Sequence, residues 1–161
     1  MDAIDLLRRQ HHEMEHAMRH VLEAADPAQK KARFTEVADR LTTHIAAEEQ
    51  VFYPAVKAAR TEDILLESLE EHLSLKRLLA DLIELDVAEQ TFEPKFKVLK
   101  EQAEHHHREE EENLFPKAAR LLASEQRLKL GEEMLALQTK LERQGEPREM
   151  VAGQTDAAAP L

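Results

Sequence analysis

Cysteine is absent from the sequence of 161 residues. Its absence excludes disulfide bonds, thiolate metal sites and cysteine nucleophiles. Glycine is also rare, with three residues, and aromatic side chains make up only 4% of the chain. Leu, Ala, Glu, Lys and Gln are abundant instead, and these residues favour helices over sheets. The composition therefore predicts an all-α protein without covalent cross-links.

The sequence also has no long apolar run and no excess of basic residues. Its first stretch, MDAIDLLRRQHHEM, contains no apolar segment of signal-peptide length, and no later stretch approaches the length of a membrane span. With 33 acidic against 22 basic residues, the formal net charge of −11 repels phosphate backbones and anionic lipid surfaces. We therefore expect a soluble, cytoplasmic protein of one domain that binds neither nucleic acid nor membranes.

Capping residues and prolines predict five helices. Asp26 followed by Pro27, for example, combines an N-cap residue with proline at the first helical position. The predicted helices span residues 3–24, 28–58, 62–87, 92–120 and 125–143. Pro54 and Pro116 each remove a backbone donor late in a helix, so the second and fourth helices are expected to bend or end there.

The helix pattern divides the chain into three parts. Residues 1–122 are predicted to form an up-down-up-down antiparallel four-helix bundle, because four long helices are joined by short connections. Residues 123–144 are predicted to form an additional helix that packs on the bundle or in a homodimer, through a stripe containing Leu128, Leu135, Leu137 and Leu141. The tail 145–161 has glycine, proline and no apolar period, so we expect it to be disordered.

Each of the first four helices carries a histidine on its predicted inward face, within an apolar stripe of three- and four-residue steps. These histidines are His11, His44, His72 and His106. The last belongs to a run of three, and neighbouring residues on a helix differ in direction by about 100°. His105 and His107 are therefore expected to point away from the inward face that His106 occupies.

The four inward histidines are predicted to lie at one level of the bundle. Each is roughly 12 to 18 residues from the adjoining turn, on the order of 20–25 Å along a helix. His11 to His44 spans 33 positions and His72 to His106 spans 34, so the first helical hairpin resembles the second. The sequence therefore predicts a pseudo-twofold site between the two hairpins.

Two carboxylates complete this site. Glu48 and Glu110 each follow an inward histidine by four residues, so each shares the direction of that histidine. Burial of two carboxylates among four imidazoles is costly unless a cation compensates it. The donor set suits two ions about 3.5–4 Å apart that share both carboxylates. The predicted metal ligands are His11, His44, Glu48, His72, His106 and Glu110. Iron is the preferred metal, with manganese and zinc as substitutes, because zinc usually closes at four ligands.

The motifs that carry these residues resemble those of the hemerythrin-like family, also known as HHE cation-binding domains. They read LLRRQHH, HIAAEEQVFYP, EEHLSLKRLL and HHHREEEENLFP, and they occur in the family's order over about residues 2–122. The resemblance implies a four-helix bundle with a non-haem di-iron site, and its ligands fall on the same six positions. Oxygen-carrying members have a further histidine where this chain has Lys76. This departure disfavours reversible oxygen carriage.

Several neighbouring residues have two interpretations. Lys76 either pairs with a ligand carboxylate or bound anion, or is solvated with its stem on the core. His12, His16 and His20 form a row that either chelates an adventitious ion or is a polar outer face, which is preferred. Glu15 either adds a ligand or stays outside the site, and the second interpretation is preferred.

Three further residues lie next to the predicted ligands. Glu49 and Glu111 are expected to orient ligands from outside or to stay solvated rather than bind metal. Tyr53 either reaches the site or packs with its hydroxyl at the rim. No catalytic residue is assigned apart from the metal ligands.

The predicted function is metal binding at a carboxylate-bridged dinuclear site that meets dioxygen, peroxide or nitric oxide. Sensing, iron handling and detoxification all fit such a site, and only the last two require turnover. The alternative is a metal-free or pH-responsive helical interaction bundle, which would keep its stability after chelation. Small diatomic ligands or peroxide are thus the expected partners, together with a second copy of the chain through the C-terminal helix.

Overall fold

The computed structural model describes residues 1–161, and all of its regular structure is helical, which confirms the predicted all-α class. The α-helices are α1 Ala3–Leu22, α2 Pro27–Ala47, α3 Tyr53–Ala55, α4 Glu62–Glu84, α5 Phe92–Glu109, α6 Phe115–Leu121 and α7 Ser124–Arg143. Two π-helical turns, Glu48–Phe52 and Glu110–Leu114, follow α2 and α5, and a 3-10 helix spans Pro147–Gln154. None of these helices is both long and apolar enough to cross a membrane.

The four long helices form a bundle in which α1 packs on α2, α4 packs on α5, and α1 also contacts α5. Their inward faces build two separate apolar clusters. One cluster includes Met14, Met18, Leu41, Leu79 and Phe96, and the other includes Leu6, Leu7, Phe52, Leu69 and Phe115. On each long helix the predicted histidine falls in the sequence between these two sets. The bundle therefore has a polar layer between two apolar halves.

Side-chain caps fix where the first two helices begin. Asp2 accepts a hydrogen bond from the backbone N–H of Ile4 at 2.7 Å, and Asp26 accepts one from Gln29 at 2.8 Å. Each bond satisfies a backbone donor that has no partner within the helix. The caps thereby set the register in which α1 and α2 present their inward faces.

The two prolines follow the two π-helical turns. In these turns the N–H of Tyr53 donates to the carbonyl of Glu48, and the N–H of Phe115 donates to that of Glu110. A proline inside an α-helix clashes with the carbonyl four residues earlier, and a wider turn displaces that carbonyl. The irregularity expected at both prolines thus takes the form of a π turn, after which the chain resumes a short α-helix.

The C-terminal helix α7 packs on the bundle, against α1, α2 and the first π turn, but only part of the predicted leucine stripe faces it. The buried residues of α7 are Gly131, Met134, Gln138 and Leu141. Leu141 belongs to the predicted stripe, whereas Leu128 and Leu135 are exposed. The rest of the packed face was not predicted because it includes Gly131 and Gln138, which are not apolar side chains. The homodimer through this helix stays a prediction.

Gly131 allows the N-terminus of the chain to pack directly on α7. A Cβ atom at this position would collide with the carbonyl oxygen of Met1. We expect Gly131→Ala to lower the free energy of unfolding by about 1–3 kcal/mol, because overpacking forces the backbone of Met1 away. Urea denaturation measures this change. Gly153→Ala is the matched control, since a Cβ there meets nothing within 4 Å. Equal stability of the two variants would contradict the close approach.

The tail 145–161 is ordered, so the prediction of disorder was wrong. Its 3-10 helix contacts α2 and α4, and Val151 is buried in the first apolar cluster. Arg77 donates hydrogen bonds to the carbonyls of Thr155 and Asp156 at 2.9 and 3.1 Å, and Arg148 pairs with Asp39 at 3.1 Å. The order comes from long-range anchors, and a segment with no apolar period gives no local sign of them.

Candidate metal centre

All six residues predicted as metal ligands lie together in the polar layer. The histidines come from the four long helices, one from each, and the two glutamates are the first residues of the two π turns. They are His11, His44, Glu48, His72, His106 and Glu110, and none is more than 2% exposed. The structure therefore brings the whole predicted set to one buried point.

The two carboxylates lie between two pairs of imidazoles. Glu48 Oε1 is 3.2 Å from His44 Nε2 and 3.1 Å from His72 Nε2. Glu110 Oε1 is 3.2 Å from His11 Nε2 and 3.4 Å from His106 Nε2. One oxygen of each glutamate thus contacts a histidine from the first hairpin and a histidine from the second. This is the position that a shared ligand of two neighbouring ions would occupy.

The π turns place these carboxylates. Each turn begins at the glutamate itself, immediately after the α-helix that carries the preceding histidine. Single π turns inside helices are frequent at functional sites. Here Pro54 and Pro116 account for their location, because each proline displaces the carbonyl of the residue four positions before it. The four-residue spacing from histidine to glutamate and the proline that follows therefore act together to position each carboxylate.

Each inward histidine has a polar side chain beside its outer nitrogen, and three of the four side chains are hydrogen-bonded to that nitrogen, whereas Glu111 lies beyond hydrogen-bond distance of His11. The four contacts are Gln10 Oε1 to His44 Nδ1 at 2.9 Å, Glu49 Oε2 to His72 Nδ1 at 2.9 Å, Glu71 Oε1 to His106 Nδ1 at 2.9 Å, and Glu111 Oε2 to His11 Nδ1 at 3.7 Å. The donors and acceptors follow a closed ring, from α1 to α2, to α4, to α5 and back to α1. Such outer partners orient an imidazole and fix its tautomer.

The hydrogen bonds of the outer nitrogens (Nδ1) determine whether the inward nitrogens (Nε2) carry a proton or a lone pair. Because His72 Nδ1 and His106 Nδ1 donate to carboxylates, the Nε2 atom of either ring carries a lone pair when that ring is neutral. These two Nε2 atoms lie 3.0 Å apart. Two lone pairs at this distance repel each other, and either a proton on one of the nitrogens or a metal ion between them removes the repulsion. Two nitrogens bound about 2.1 Å from one ion at a right angle would have this separation.

Unpaired polar atoms are concentrated at this layer. Seven buried side-chain nitrogen and oxygen atoms have no hydrogen-bond partner. They are His11 Nδ1, His11 Nε2, His44 Nε2, Glu48 Oε2, His107 Nδ1, His107 Nε2 and Glu110 Oε1. A buried polar atom without a partner costs about 1–3 kcal/mol, and more when it is charged. The residues present therefore fit a site for cations, which would give these atoms partners.

The two carboxylates differ in protonation. Burial and the charge of Glu110 raise the pKa of Glu48 well above its ordinary value. Burial also opposes ionisation of Glu110, but the charge of His106 brings the pKa of Glu110 well below its ordinary value. Burial of the two carboxylates side by side therefore favours a proton on Glu48 over one on Glu110. A cation at Glu48 would compete with that proton.

His107 also lies in the layer, which corrects the expectation that it points away. It is 1% exposed, and its ring stacks on His11 with the centroids 3.9 Å apart. His105, in contrast, keeps 60% of its side chain exposed, as expected. The inward face of α5 is wide enough for His106 and His107 together, because α1 packs beside it and covers the second direction.

Tyr53 and Lys76 are both buried beside the predicted ligands. Tyr53 Oη donates a hydrogen bond to Glu110 Oε2 at 2.8 Å and lies 3.2 Å from His72 Nε2. Burial and the charge of Glu110 raise the pKa of Tyr53 well above its ordinary value, so the phenol keeps its proton. Lys76 Nζ donates to Glu49 Oε1 at 2.8 Å, and the solvated interpretation of this lysine was wrong.

Comparison with known proteins identifies the fold family. The family model described as the hemerythrin HHE cation-binding domain matches residues 2–145. The chain belongs to this family. Its histidine and glutamate cluster fits the metal binding that the family name denotes.

Two relatives of this HHE domain are informative. A solved structure of a hemerythrin HHE cation-binding domain-containing protein from Mycobacterium kansasii matches with a TM-score of 0.78 and 21% identity, over 99% of this chain and 95% of that one. At this identity the likeness concerns the fold. A curated protein of Nostoc sp. named DNA nickase is 27% identical over 142 residues. Those residues are 88% of this chain but only 40% of the Nostoc protein.

The remaining sequence predictions separate into two groups. His12, His16 and His20 are exposed along α1 and belong to no cluster with metal-binding geometry, so the polar outer face is the better interpretation. Glu15 is likewise outside every such cluster. Glu49 accepts a hydrogen bond from the outer nitrogen of His72, a predicted ligand, and Glu111 lies 3.7 Å from the outer nitrogen of His11.

Three supporting residues were missed by the sequence analysis. Gln10 and Glu71 each directly precede an inward histidine and reach the histidine of the next helix. Their position one residue from a ligand was an available signal. Gln138 of α7 forms a reciprocal amide pair with Gln10, at 2.8 and 3.0 Å, and no local pattern indicates that contact. Through Gln10, α7 thus helps to orient His44.

Proposed function

We propose that this HHE domain is a non-haem di-iron protein whose metal centre binds or reduces dioxygen, peroxide or nitric oxide. The histidine pair of α1 and α2 would hold one ion, and the pair of α4 and α5 would hold the other. The pairs are His11 with His44 and His72 with His106. Glu48 and Glu110 would be available to both ions, because one oxygen of each lies 3.1–3.4 Å from a nitrogen of both pairs.

The observation that carries this proposal is the concentration of unpaired donor atoms at one buried point. All seven buried polar atoms without partners belong to this layer. The Nε2 atoms of His72 and His106 also face each other at 3.0 Å, a separation that suits two ligands of one ion. A helical bundle that merely tolerated buried histidines would pair their nitrogens with protein groups. Such a large unpaired set is therefore better explained by cations than by packing.

The donor types favour iron. The site offers imidazole nitrogens and carboxylate oxygens but no sulfur, which suits iron, manganese or zinc. Zinc prefers four ligands in a closed tetrahedron, whereas two histidines and two shared carboxylates leave coordination positions open on ions that take five or six ligands. Iron in such a site supplies open positions for small ligands and a change of oxidation state.

The protein groups around the centre control orientation, water and protons. The ring of outer partners holds the imidazoles so that their Nε2 atoms face inward. The two apolar clusters on either side exclude bulk water from the layer. Tyr53 keeps its proton and presents the hydroxyl beside Glu110 and His72, where it can donate to a small bound ligand instead.

The nickase name of the Nostoc relative does not extend to this proposal. The shared region is 40% of that protein, so the activity in its name can reside outside it. The net charge of −11 also opposes binding to DNA. A small diatomic molecule or peroxide is the partner that suits a centre buried between two apolar clusters.

Metal analysis of anaerobically purified protein tests the proposal. We expect two iron ions per chain, and an absorption spectrum that changes when dioxygen, peroxide or nitric oxide is added. Peroxide consumption with many turnovers would indicate detoxification, whereas a spectral change without turnover would indicate sensing. The matched control is protein treated with a strong chelator and returned to the same buffer.

A metal-free result would contradict the proposal. If the purified protein contains no metal, takes up none, and has the same free energy of unfolding before and after chelation, the layer is a structural feature. The metal-free helical bundle would then be the better description of this chain.

A further inference from the structure

His107 is the side chain of the polar layer that the six-ligand centre leaves without a role. It is 1% exposed and stacks on His11, with ring planes 10° apart. Its ring also lies edge-on to His44, with the centroids 5.5 Å apart. Both ring nitrogens of His107 are buried and have no hydrogen-bond partner.

Packing alone does not account for this arrangement. A neutral imidazole has one N–H donor and one lone pair, and burial without partners costs free energy for both. Phenylalanine would fill the same space against His11 without that cost. The other inward histidines differ, because the outer nitrogens of His44, His72 and His106 are each hydrogen-bonded. His107 is therefore the histidine of the layer whose nitrogens most need a ligand.

The position of His107 relates it to one half of the centre only. His11, His44 and His107 each offer a nitrogen, and these three atoms lie within 4.8 Å of one another. The group formed by Glu48, His72 and His106 does not include it. A cation that reaches both His11 and His44 thus has a third imidazole within reach.

We infer that His107 is an additional nitrogen ligand of the ion held by His11 and His44, an inference that rests on the proposed metal centre. The two halves then differ in composition. His72 and His106 are backed by the carboxylates of Glu49 and Glu71, which make an imidazole a stronger donor. His44 is backed by the neutral amide of Gln10, and the carboxylate of Glu111 lies 3.7 Å from His11, beyond hydrogen-bond distance. A third imidazole would compensate this half for its weaker outer contacts.

The unequal halves predict unequal metal affinities that a single substitution can alter selectively. His107→Phe keeps an aromatic ring against His11 and removes both nitrogens. His107→Ala is the second variant, in case the larger ring disturbs the fold. His105→Ala is the matched control, since His105 belongs to the same histidine run and has a mostly exposed side chain. Far-UV circular dichroism of the metal-free proteins establishes that each variant is folded.

The test is titration of the metal-free proteins with Co²⁺, followed by calorimetry and proton NMR. Cobalt is paramagnetic, so the exchangeable N–H proton of each coordinated imidazole gives a strongly shifted signal. We expect the wild-type chain to bind two ions. In His107→Phe and His107→Ala, we expect one ion to bind at least about tenfold more weakly, the other to bind unchanged, and one shifted N–H signal to be lost. His105→Ala should match the wild type.

The outcomes separate this inference from the proposed centre. If the wild type binds two ions and the folded His107 variants bind both with unchanged affinity and the full set of shifted signals, His107 is not a ligand and the six-residue centre stands. If the wild type binds no Co²⁺ and no iron, the centre and the role of His107 fail together. Weakening of both ions to the same degree would also overturn a role confined to the His11 half.

Discussion

Replacing His106 with alanine is expected to weaken metal binding at least about 100-fold, because the loss of a ligand exceeds the 10–100-fold cost of losing an outer partner. His106 Nε2 lies 3.0 Å from His72 Nε2 and 3.4 Å from Glu110 Oε1. Its outer nitrogen is held by Glu71, so the ring has one orientation. Removal of His106 leaves His72 as the single imidazole of that half. Mass spectrometric metal analysis of purified protein measures the effect.

The control for this experiment is the preceding residue. His105→Ala changes the same residue type one position away, and 60% of the His105 side chain is exposed. We expect its metal content and its free energy of unfolding to match the wild type within about 0.5 kcal/mol. Equal metal content in the two folded variants would show that His106 is not a ligand.

The periodicity of the helices was sufficient to predict the all-α fold and the convergence of six residues. Three- and four-residue steps placed His11, His44, His72 and His106 on inward faces. The two helical hairpins have nearly equal spacing between their histidines, so one level in the bundle followed from helix geometry. The inward face of a helix depends on local periodicity, and the level of a residue in the bundle depends on helix length. Both can be predicted from the sequence.

The width of the inward face could not be judged in the same way. The predicted inward face of α5 was a narrow stripe that excluded His107. In the structure the buried face is wider and is formed by Ala103, His106, His107 and Glu110. Which width applies depends on the neighbours of the helix. α5 contacts both α4 and α1, and the second contact turns the His107 position inward.

Long-range polar contacts were the other part that the sequence did not disclose. Arg77 orders the C-terminal tail by binding carbonyls almost 80 positions away, at Thr155 and Asp156. Gln138 reaches Gln10 across 128 positions. Contacts of this kind depend on how the folded helices pack against each other. The sequence near Arg77 or Gln138 contains no periodicity or spacing that indicates them.

The buried titratable groups make the stability of the metal-free protein depend on pH in two opposing ways. The pKa of Glu48 is raised above 4.5 by burial and by the charge of Glu110. Its contribution to stability is therefore present below pH 4.5 and is lost as the pH rises through its folded pKa. The pKa of His44 is lowered below 6.5 by burial and by the charge of His11. Its contribution is present above pH 6.5 and is lost as the pH falls.

Glu48→Gln is expected to separate stability from metal binding. Burial and the charge of Glu110 raise the pKa of Glu48, so the fold opposes its ionisation, and glutamine has the same shape and carries no charge. The amide N–H groups can also donate to the lone pairs of His44 and His72, whose Nε2 atoms lie 3.2 and 3.1 Å from Glu48 Oε1. We expect the free energy of unfolding of the metal-free variant at pH 7 to equal or exceed that of the wild type, by up to about 1–3 kcal/mol.

The same substitution should abolish the stabilisation that metal gives. With free metal at about 1,000 times its Kd, the wild type gains about 4 kcal/mol of stability, whereas a variant that binds weakly gains almost none. Urea denaturation with and without metal, repeated from pH 4.5 to 8, measures both effects. The advantage of the metal-free variant should grow as the pH rises above 4.5, because only the wild type then loses the contribution of protonated Glu48. A variant that is less stable without metal and equally stabilised by it would mean that Glu48 supports the fold and binds no metal.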